Sequence, residues 1–130
     1  MRKPVWLDHR ALVLLHAESL AEHGGLWGVR DEAALESALA RPKNVYAYER
    51  GSDLARLAAA YGFGLVRGHP FNDGNKRAGF LAIGLFLELN GFEFKVDEVD
   101  AVKTIMDLAA GSLREKALAE WIRPRIRLRK

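Results

Sequence analysis

Nine consecutive residues, His69-Pro70-Phe71-Asn72-Asp73-Gly74-Asn75-Lys76-Arg77, combine side chains that could perform chemistry on a phosphate. His69 has the ordinary pKa of a group that takes a proton from an attacking hydroxyl near neutral pH. Asp73 supplies a carboxylate four positions on, and magnesium is typically held by one or two carboxylates together with phosphate oxygens. Gly74 lets a ligand approach the main chain closely. A helix starting at Asn75 would present its first N–H groups, which lack internal partners, at the positive end of its dipole. Lys76 and Arg77 add two cations beside them. The loop therefore holds a base, a metal ligand and a phosphate cradle. Each residue also has a plain structural use: Phe71 as a core plug, Asp73-Gly74 as a capping turn, Lys76 and Arg77 as a solvated first turn. Those uses suffice singly but do not account for the whole set within so short a run.

The elements that must position this loop read as helices. Asp8 caps a first helix that ends at Gly24-Gly25, and Asp31 caps a second that stops before Pro42. The stretch from Pro42 to Gly51 reads as a loop or short hairpin. Ser52 is placed to cap a third helix, in which Leu54, Leu57, Ala58, Tyr61 and Leu65 recur at helical spacing and Ala and Gly allow close backbone approach. A helix from Asn75 to Asn90-Gly91 is apolar on nearly every side and is the expected buried centre. Phe92 to Val96 alternates like a short extended segment. Asp97 caps a helix whose apolar face is Val99, Val102, Met106 and Ala109, ended by Gly111. Ser112 and Glu115 have the spacing of a capping box for a last helix carrying Leu113, Ala117, Leu118, Trp121 and Ile122. The expected fold is an all-α single-domain bundle around one buried helix, with room for a small hairpin or extended flap.

Composition sets bounds around that picture. The chain has 130 residues and no cysteine, which excludes disulfides and thiolate metal sites and fits a reducing cytoplasm. No leader-like apolar stretch opens the chain, and the longest apolar run, Phe80 to Leu87, is far below the roughly 20 residues a bilayer requires. A soluble, cytoplasmic protein is expected, with no membrane partner. The net charge is +3, yet Arg123, Arg125, Arg127, Arg129 and Lys130 crowd the end, so the body is slightly acidic. Residues 1–122 read as the helical domain and 123–130 as a basic tail. The simplest form of that tail is a solvated, frayed end; the functional alternative is a contact with an acidic partner or nucleic acid.

The run also resembles the signature of the Fic/Doc family: a histidine, phenylalanine two later, an acidic residue at four, Gly-Asn at five and six, arginine at eight. His69, Phe71, Asp73, Gly74, Asn75 and Arg77 occupy those positions. Flanking stretches are similar to the death-on-curing branch of toxins, including Glu22-His23-Gly24-Gly25, Arg30-Asp31 and Leu35 to Pro42. The resemblance implies the helical fold already read from periodicity, with ATP and Mg²⁺ as cofactors. It implies His69 as general base, Asp73 as the Mg²⁺ ligand, and Gly74, Asn75, Lys76 and Arg77 on nucleotide phosphates. Phe71 would anchor the loop, and Arg67 would face the site. The Pro42–Gly51 stretch would correspond to a target-binding flap carrying Tyr46 and Tyr48.

Two departures bear on the reaction. Adenylyl-transferring relatives mostly have glycine where this chain has Lys76, and a second arginine where it has Phe80. Doc toxins share Asn-Lys-Arg and are understood to bind ATP reversed, so that the γ-phosphate is transferred. That resemblance implies a kinase acting on a Ser or Thr hydroxyl of a translation factor such as elongation factor Tu. Gly74 keeps the pair typical of AMP transfer, which stands as the alternative; a non-enzymatic nucleic-acid-binding module is the third. No serine or threonine is followed four later by the glutamate of a self-inhibitory helix, so control by an antitoxin in trans is expected. His16 and His23 share a helix face, but no carboxylate stands near them at ligand spacing. Gly62-Phe63-Gly64 with Gly68 lacks the strand a dinucleotide loop needs. Trp6, Trp27 and Trp121 read as packing anchors.

Overall fold

The computed structural model describes residues 3–129; Met1, Arg2 and the last cation of the basic tail, Lys130, lie outside them. Six helices follow in order: α1 (His9–His23), α2 (Glu32–Tyr48), α3 (Leu54–Gly68), α4 (Asn75–Leu89), α5 (Glu98–Ala110) and α6 (Glu115–Ile122). Strand β1 (Phe92–Phe94) lies between α4 and α5 and pairs antiparallel with β2 (Ile126–Leu128) at the end of the chain. Carboxylates begin four of the helices. Asp8, Asp31, Asp53 and Asp97 each accept an N–H from the first turn, satisfying donors that would otherwise have no partner. Among the described residues no helix is long and apolar enough to cross a membrane.

The bundle centres on α3 rather than on α4. Leu57 to Tyr61, Leu65 and Val66 of α3 are sealed from solvent. Helix α4 buries Ala78, Ala82, Ile83, Phe86 and Leu87 on one side, while Phe80, Leu81, Gly84 and Leu85 border a groove on the other. Small residues set the α3–α4 spacing. A Cβ on Gly79 would lie 2.5 Å from the Val66 Cγ2 atom, and one on Gly62 2.8 Å from Ile83 Cδ1. The N-terminal segment is tied to this pair by polar contacts: Leu7 N–H donates to the buried Tyr61 hydroxyl at 2.9 Å. Burial pushes that phenol up to about 12.

Four local expectations are overturned, the first two by tertiary contacts and the last two by local competition for the same groups. Helix α2 does not stop before Pro42; it runs through it to Tyr48, so residues 42–48 form neither loop nor hairpin flap. Proline inside a helix costs about 3 kcal/mol, but the ring is buried, and the carbonyl of Ala38 that it leaves without a donor lies against α3. A Cβ on Gly64 would sit 3.0 Å from Ala38 Cα. Helix α5 buries Ala101, Thr104, Ile105 and Leu108 and leaves Val99, Val102 and Met106 exposed. Its rotation is set by Asp100, which accepts from Trp121 Nε1 at 3.1 Å and from Arg125 at 2.9 Å. The third helix is capped by Asp53, not Ser52. The capping box of Ser112 and Glu115 does not form: the Ser112 hydroxyl donates to the Asp107 carbonyl, and α6 has no side-chain cap.

The basic end is not frayed. Arg123 makes two bonds to Asp53, at 2.6 and 3.1 Å, Arg125 is held by Asp100 and the Trp121 carbonyl, and residues 126–128 join β1. Arg123 holds the Asp53 carboxyl below its ordinary value against the opposing effect of burial.

Glu115 is drawn instead into a cluster joining α2, α3 and α6. It bonds Arg41 at 2.5 Å and Arg56 at 2.9 Å, with its side chain only 11% exposed. Burial pushes its carboxyl up, and the two guanidiniums together outweigh that effect and hold it below 4.5. A depressed folded-state pKa stabilises the fold above the unfolded value, and the contribution disappears as pH falls through the folded one. Glu115→Gln should therefore cost on the order of 2 kcal/mol at pH 7, because Arg41 loses its carboxylate and the half-buried Arg56 keeps only Glu49. Urea denaturation should show the gap to wild type closing below about pH 4.

Candidate functional site

The loop joining α3 to α4 follows from how each helix ends. Helix α3 terminates at His69, whose φ of 49° and ψ of 53° are left-handed. Among the described residues it is the sole non-glycine with positive φ. Such a conformation costs an L-residue roughly 1–2 kcal/mol, so surrounding contacts must hold it. Arg30 does so: its Nε donates to the His69 carbonyl at 2.8 Å and Nη2 to the Gly68 carbonyl at 3.4 Å. A guanidinium there also complements the negative end of α3.

Six residues on, the Asn75 side chain closes the loop on itself. Its Oδ1 accepts from Phe71 N–H at 3.0 Å and its Nδ2 donates to the Phe71 carbonyl at 3.1 Å, in a buried setting. The side chain expected to contact phosphate is thus occupied in holding the loop, and what Asn75 offers a ligand is its main-chain N–H. Phe71 is buried, as expected of an anchor.

The segment between α1 and α2 clasps the loop from outside. Val29 forms a single antiparallel bridge with Phe71, and Arg30 and Asp31 both donate to the Pro70 carbonyl. Asn72 N–H donates to the Gly28 carbonyl, and its side chain to that of Trp27. Gly25 and Gly28, at φ of 125° and 123°, permit this contact; a Cβ on Gly25 would lie 3.0 Å from Asp73 Oδ2 and one on Gly28 2.9 Å from Asn72 Nδ2. Side chains of Leu26 and Trp27 remain about two-thirds exposed on the outer surface, so Trp27 is no packing anchor, unlike Trp6 and Trp121. The positioning roles of Arg30, Gly25 and Gly28 escape sequence reasoning because they act on main-chain atoms some 40 residues away. Their signal was the Gly-Gly and Arg-Asp pairs around the segment.

What the loop surrounds is an open cleft of about 630 Å³, a size typical of small-ligand sites. His69, Asp73, Gly74, Asn75, Lys76 and Arg77 line one side. Helix α5 lines the other, with the exposed Val102 and Met106 and the buried Ile105. The Asp73 carboxylate accepts from Gly74 N–H at 2.9 Å and from Leu26 N–H at 3.3 Å. A carboxylate offers about four acceptor positions, so two are open to a cation, which fits Mg²⁺ held partly by phosphate oxygens. The N–H groups of Asn75, Lys76 and Arg77 have no acceptor among the described residues, since main-chain bonding of α4 starts with Ala78 to Gly74.

The remaining expected site residues lie elsewhere. Arg67 reaches the carboxyl end of α5, 3.5 Å from the Leu108 carbonyl and beside Gly111, and does not line the cleft. Tyr46 and Tyr48 sit on the last turn of α2, Tyr46 edge-on to Trp6 at 5.7 Å. Neither borders the cleft, and the extended segment that meets the 69–74 loop is 24–31 instead. His16 and His23 form no metal pair: His16 bonds the Asp73 carbonyl and His23 the Ser19 carbonyl.

A helical bundle with an anion-receptive helix start, a histidine and a carboxylate around one cleft is an arrangement suited to a phosphate-bearing ligand. Residues 6–87 match the model of the Fic/DOC family, and the chain belongs to that family. It is 32% identical over 112 residues to "Protein kinase doc" of Escherichia phage P1, covering 86% of this chain and 88% of that one. It is also 38% identical over 99 residues to "Toxin Doc" of Mycolicibacterium smegmatis (strain ATCC 700084 / mc(2)155), covering 75% of each.

Asn75→Ala leaves a buried N–H and C=O of Phe71 without partners. Each such loss costs about 1–3 kcal/mol, so chemical denaturation should show the variant destabilised by roughly 2–4 kcal/mol, whereas Lys76→Ala on the exposed first turn should lie within about 0.5 kcal/mol of wild type.

Proposed function

We propose that the protein is a Doc-type toxin that transfers the γ-phosphate of ATP to a Ser or Thr hydroxyl of a translation factor resembling elongation factor Tu. The observation that carries this reading is the shared cleft: His69, Asp73 and the unpartnered N–H groups of α4 all open into it. Triphosphate would lie against the start of α4, where main-chain N–H groups, Lys76 and Arg77 balance its charge. The base would pack on Val102, Ile105 and Met106. Asp73 would hold Mg²⁺, which when bound neutralises charge on the phosphate oxygens. His69 takes the proton of the target hydroxyl while that oxygen bonds to the γ-phosphorus and the bond to the β-phosphate oxygen breaks, releasing ADP. Phosphoryl transfer asks for positioning and charge neutralisation more than covalent help.

Two features support phosphate over AMP transfer. Phe80, where AMP-transferring relatives have a second arginine, lines the cleft with an aromatic ring packed towards Phe94 and offers no charge. The relative from phage P1 carries the name of a protein kinase. Arg123 and Arg125 are engaged within the fold, which weighs against the nucleic-acid alternative for that part of the basic end. Target protein would meet Leu26 and Trp27, exposed on the segment that borders the catalytic loop. Control would come from an antitoxin in trans. A second groove of about 820 Å³ between α1, α4 and β1 adjoins the cleft at Arg77 and Phe80 and offers such a partner an apolar floor of Leu15, Leu81 and Leu85.

ATP labelled separately at the α and γ positions, incubated with the protein and a translation extract, tests the reading. Label from γ alone should appear on the target; label from α would establish AMP transfer instead. His69→Ala should retain wild-type stability within about 1 kcal/mol and lose about 10²- to 10⁴-fold in rate. A folded variant with the wild-type rate would remove His69 from the mechanism.

A further inference from the structure

His16 has no part in the chemistry described so far, yet it is the most deeply buried histidine in the chain, 2% exposed in the middle of α1. Both of its binding surfaces engage the catalytic loop. Its ring lies flat on Phe71, centroids 3.8 Å apart and planes 7° from parallel. Its Nε2 is 2.7 Å from the Asp73 carbonyl oxygen. That oxygen can only accept, so Nε2 carries the proton. Gly74 packs against the same ring edge, where a Cβ would sit 3.6 Å from Nε2.

The consequence runs through the planarity of one peptide. In a trans peptide the C=O and the following N–H point in opposite directions. With the Asp73 carbonyl turned inward to His16, the Gly74 N–H must turn outward, and there it meets Asp73 Oδ1 at 2.9 Å. That bond orients the carboxylate, whose other oxygen is met by Leu26 N–H. Gly74 is also the residue from which α4 begins, its carbonyl accepting from Ala78 N–H at 2.9 Å. The plane of the 73–74 peptide therefore sets both the aim of the carboxylate and the direction of the first free N–H groups of α4.

We infer that His16 is a positioning residue: it locks the Asp73–Gly74 peptide plane and through it aims the Asp73 carboxylate and the leading N–H groups of α4 into the cleft. Its action on magnesium and nucleotide rests on the function proposed above; its hold on the peptide does not.

Two substitutions separate the two surfaces of the ring. His16→Phe keeps a flat ring for Phe71 and removes the donor; His16→Gln keeps a donor and removes the stack. The measurements are the Gly74 and Asn75 amide resonances of the ligand-free protein, the Mg²⁺ concentration at half-saturation of ATP binding by calorimetry, and the melting temperature. Removing a partner that orients a metal ligand typically costs 10- to 100-fold in metal affinity. His16→Phe should shift both amides and raise the Mg²⁺ requirement about tenfold or more, and His16→Gln should restore most of that requirement even where it melts lower. Wild-type amide positions and Mg²⁺ requirement in His16→Phe, or a glutamine variant no better than phenylalanine, would overturn the inference. A measurement on the unmodified protein covers the case in which neither variant folds: nitrogen-detected imidazole spectra should show His16 protonated at Nε2, and protonation at Nδ1 alone would overturn it. Failure of the wild-type protein to bind ATP with Mg²⁺ would instead remove the proposed function, leaving the tautomer and the amide shifts to decide the role of His16.

Discussion

Helices α3 and α4 approach so closely that a methyl group on Gly79 would lie 2.5 Å from Val66 and 3.2 Å from the Gly62 carbonyl. That contact fixes where α3 ends and where α4 begins, and the 69–74 loop has to span the interval. Six residues turn the chain between the two helices, and the turn is tight enough to force His69 into a left-handed conformation. The strain is held by directed bonds on every side: Arg30 on the carbonyls at the end of α3, Asn75 on Phe71, and the 24–31 segment on Pro70 and Asn72. Strained backbone of this kind persists only when the surroundings over-determine it. Here the surroundings are two helix ends, one clasping segment and a buried imidazole.

The two walls of the cleft follow different physical rules. The wall formed by the 69–74 loop is polar and built from main-chain groups whose positions are set by α3, α4 and the clasp. The opposite wall is the outer face of α5, apolar because the rotation of that helix is decided at Asp100, on its other side, by Trp121 and Arg125. Residues near the end of the chain thus reach the cleft indirectly. Arg125 anchors Asp100, Asp100 sets the rotation of α5, and Val102 and Met106 come to face the opening.

Much of this was legible in the sequence. Helix starts marked by Asp8, Asp31 and Asp97 and the stops at Gly24 and Gly111 follow from local capping, the start of α4 at Asn75 follows from the glycine before it, and all are found where that chemistry puts them. So was the convergence of His69 and Asp73, because both lie in one short loop before a helix. Features decided by distant contacts were not legible. Pro42 reads locally as a stop, and only burial against α3 carries α2 through it. Val99, Val102 and Met106 form as good an apolar stripe as Ala101, Ile105 and Leu108, and the choice between them depends on the partner of Asp100. Glu115 has the spacing of a cap and is taken by Arg41 and Arg56. Arg123 and Arg125 look like a solvated tail until Asp53 and Asp100 are seen opposite them. The clasp was missed because glycines and an arginine that act on remote main-chain atoms leave no periodic trace.

The central claim is that one cleft brings His69, Asp73 and the start of α4 to a single magnesium-bound triphosphate. A crystal structure of the protein with Mg²⁺ and a non-hydrolysable ATP analogue tests it most directly. The account predicts phosphate oxygens on the N–H groups of Asn75 to Arg77, the cation on Asp73, and the terminal phosphorus nearest to His69. A nucleotide bound in another part of the fold, or phosphates turned away from the start of α4 with Asp73 still bonded only to Leu26 and Gly74, would contradict it.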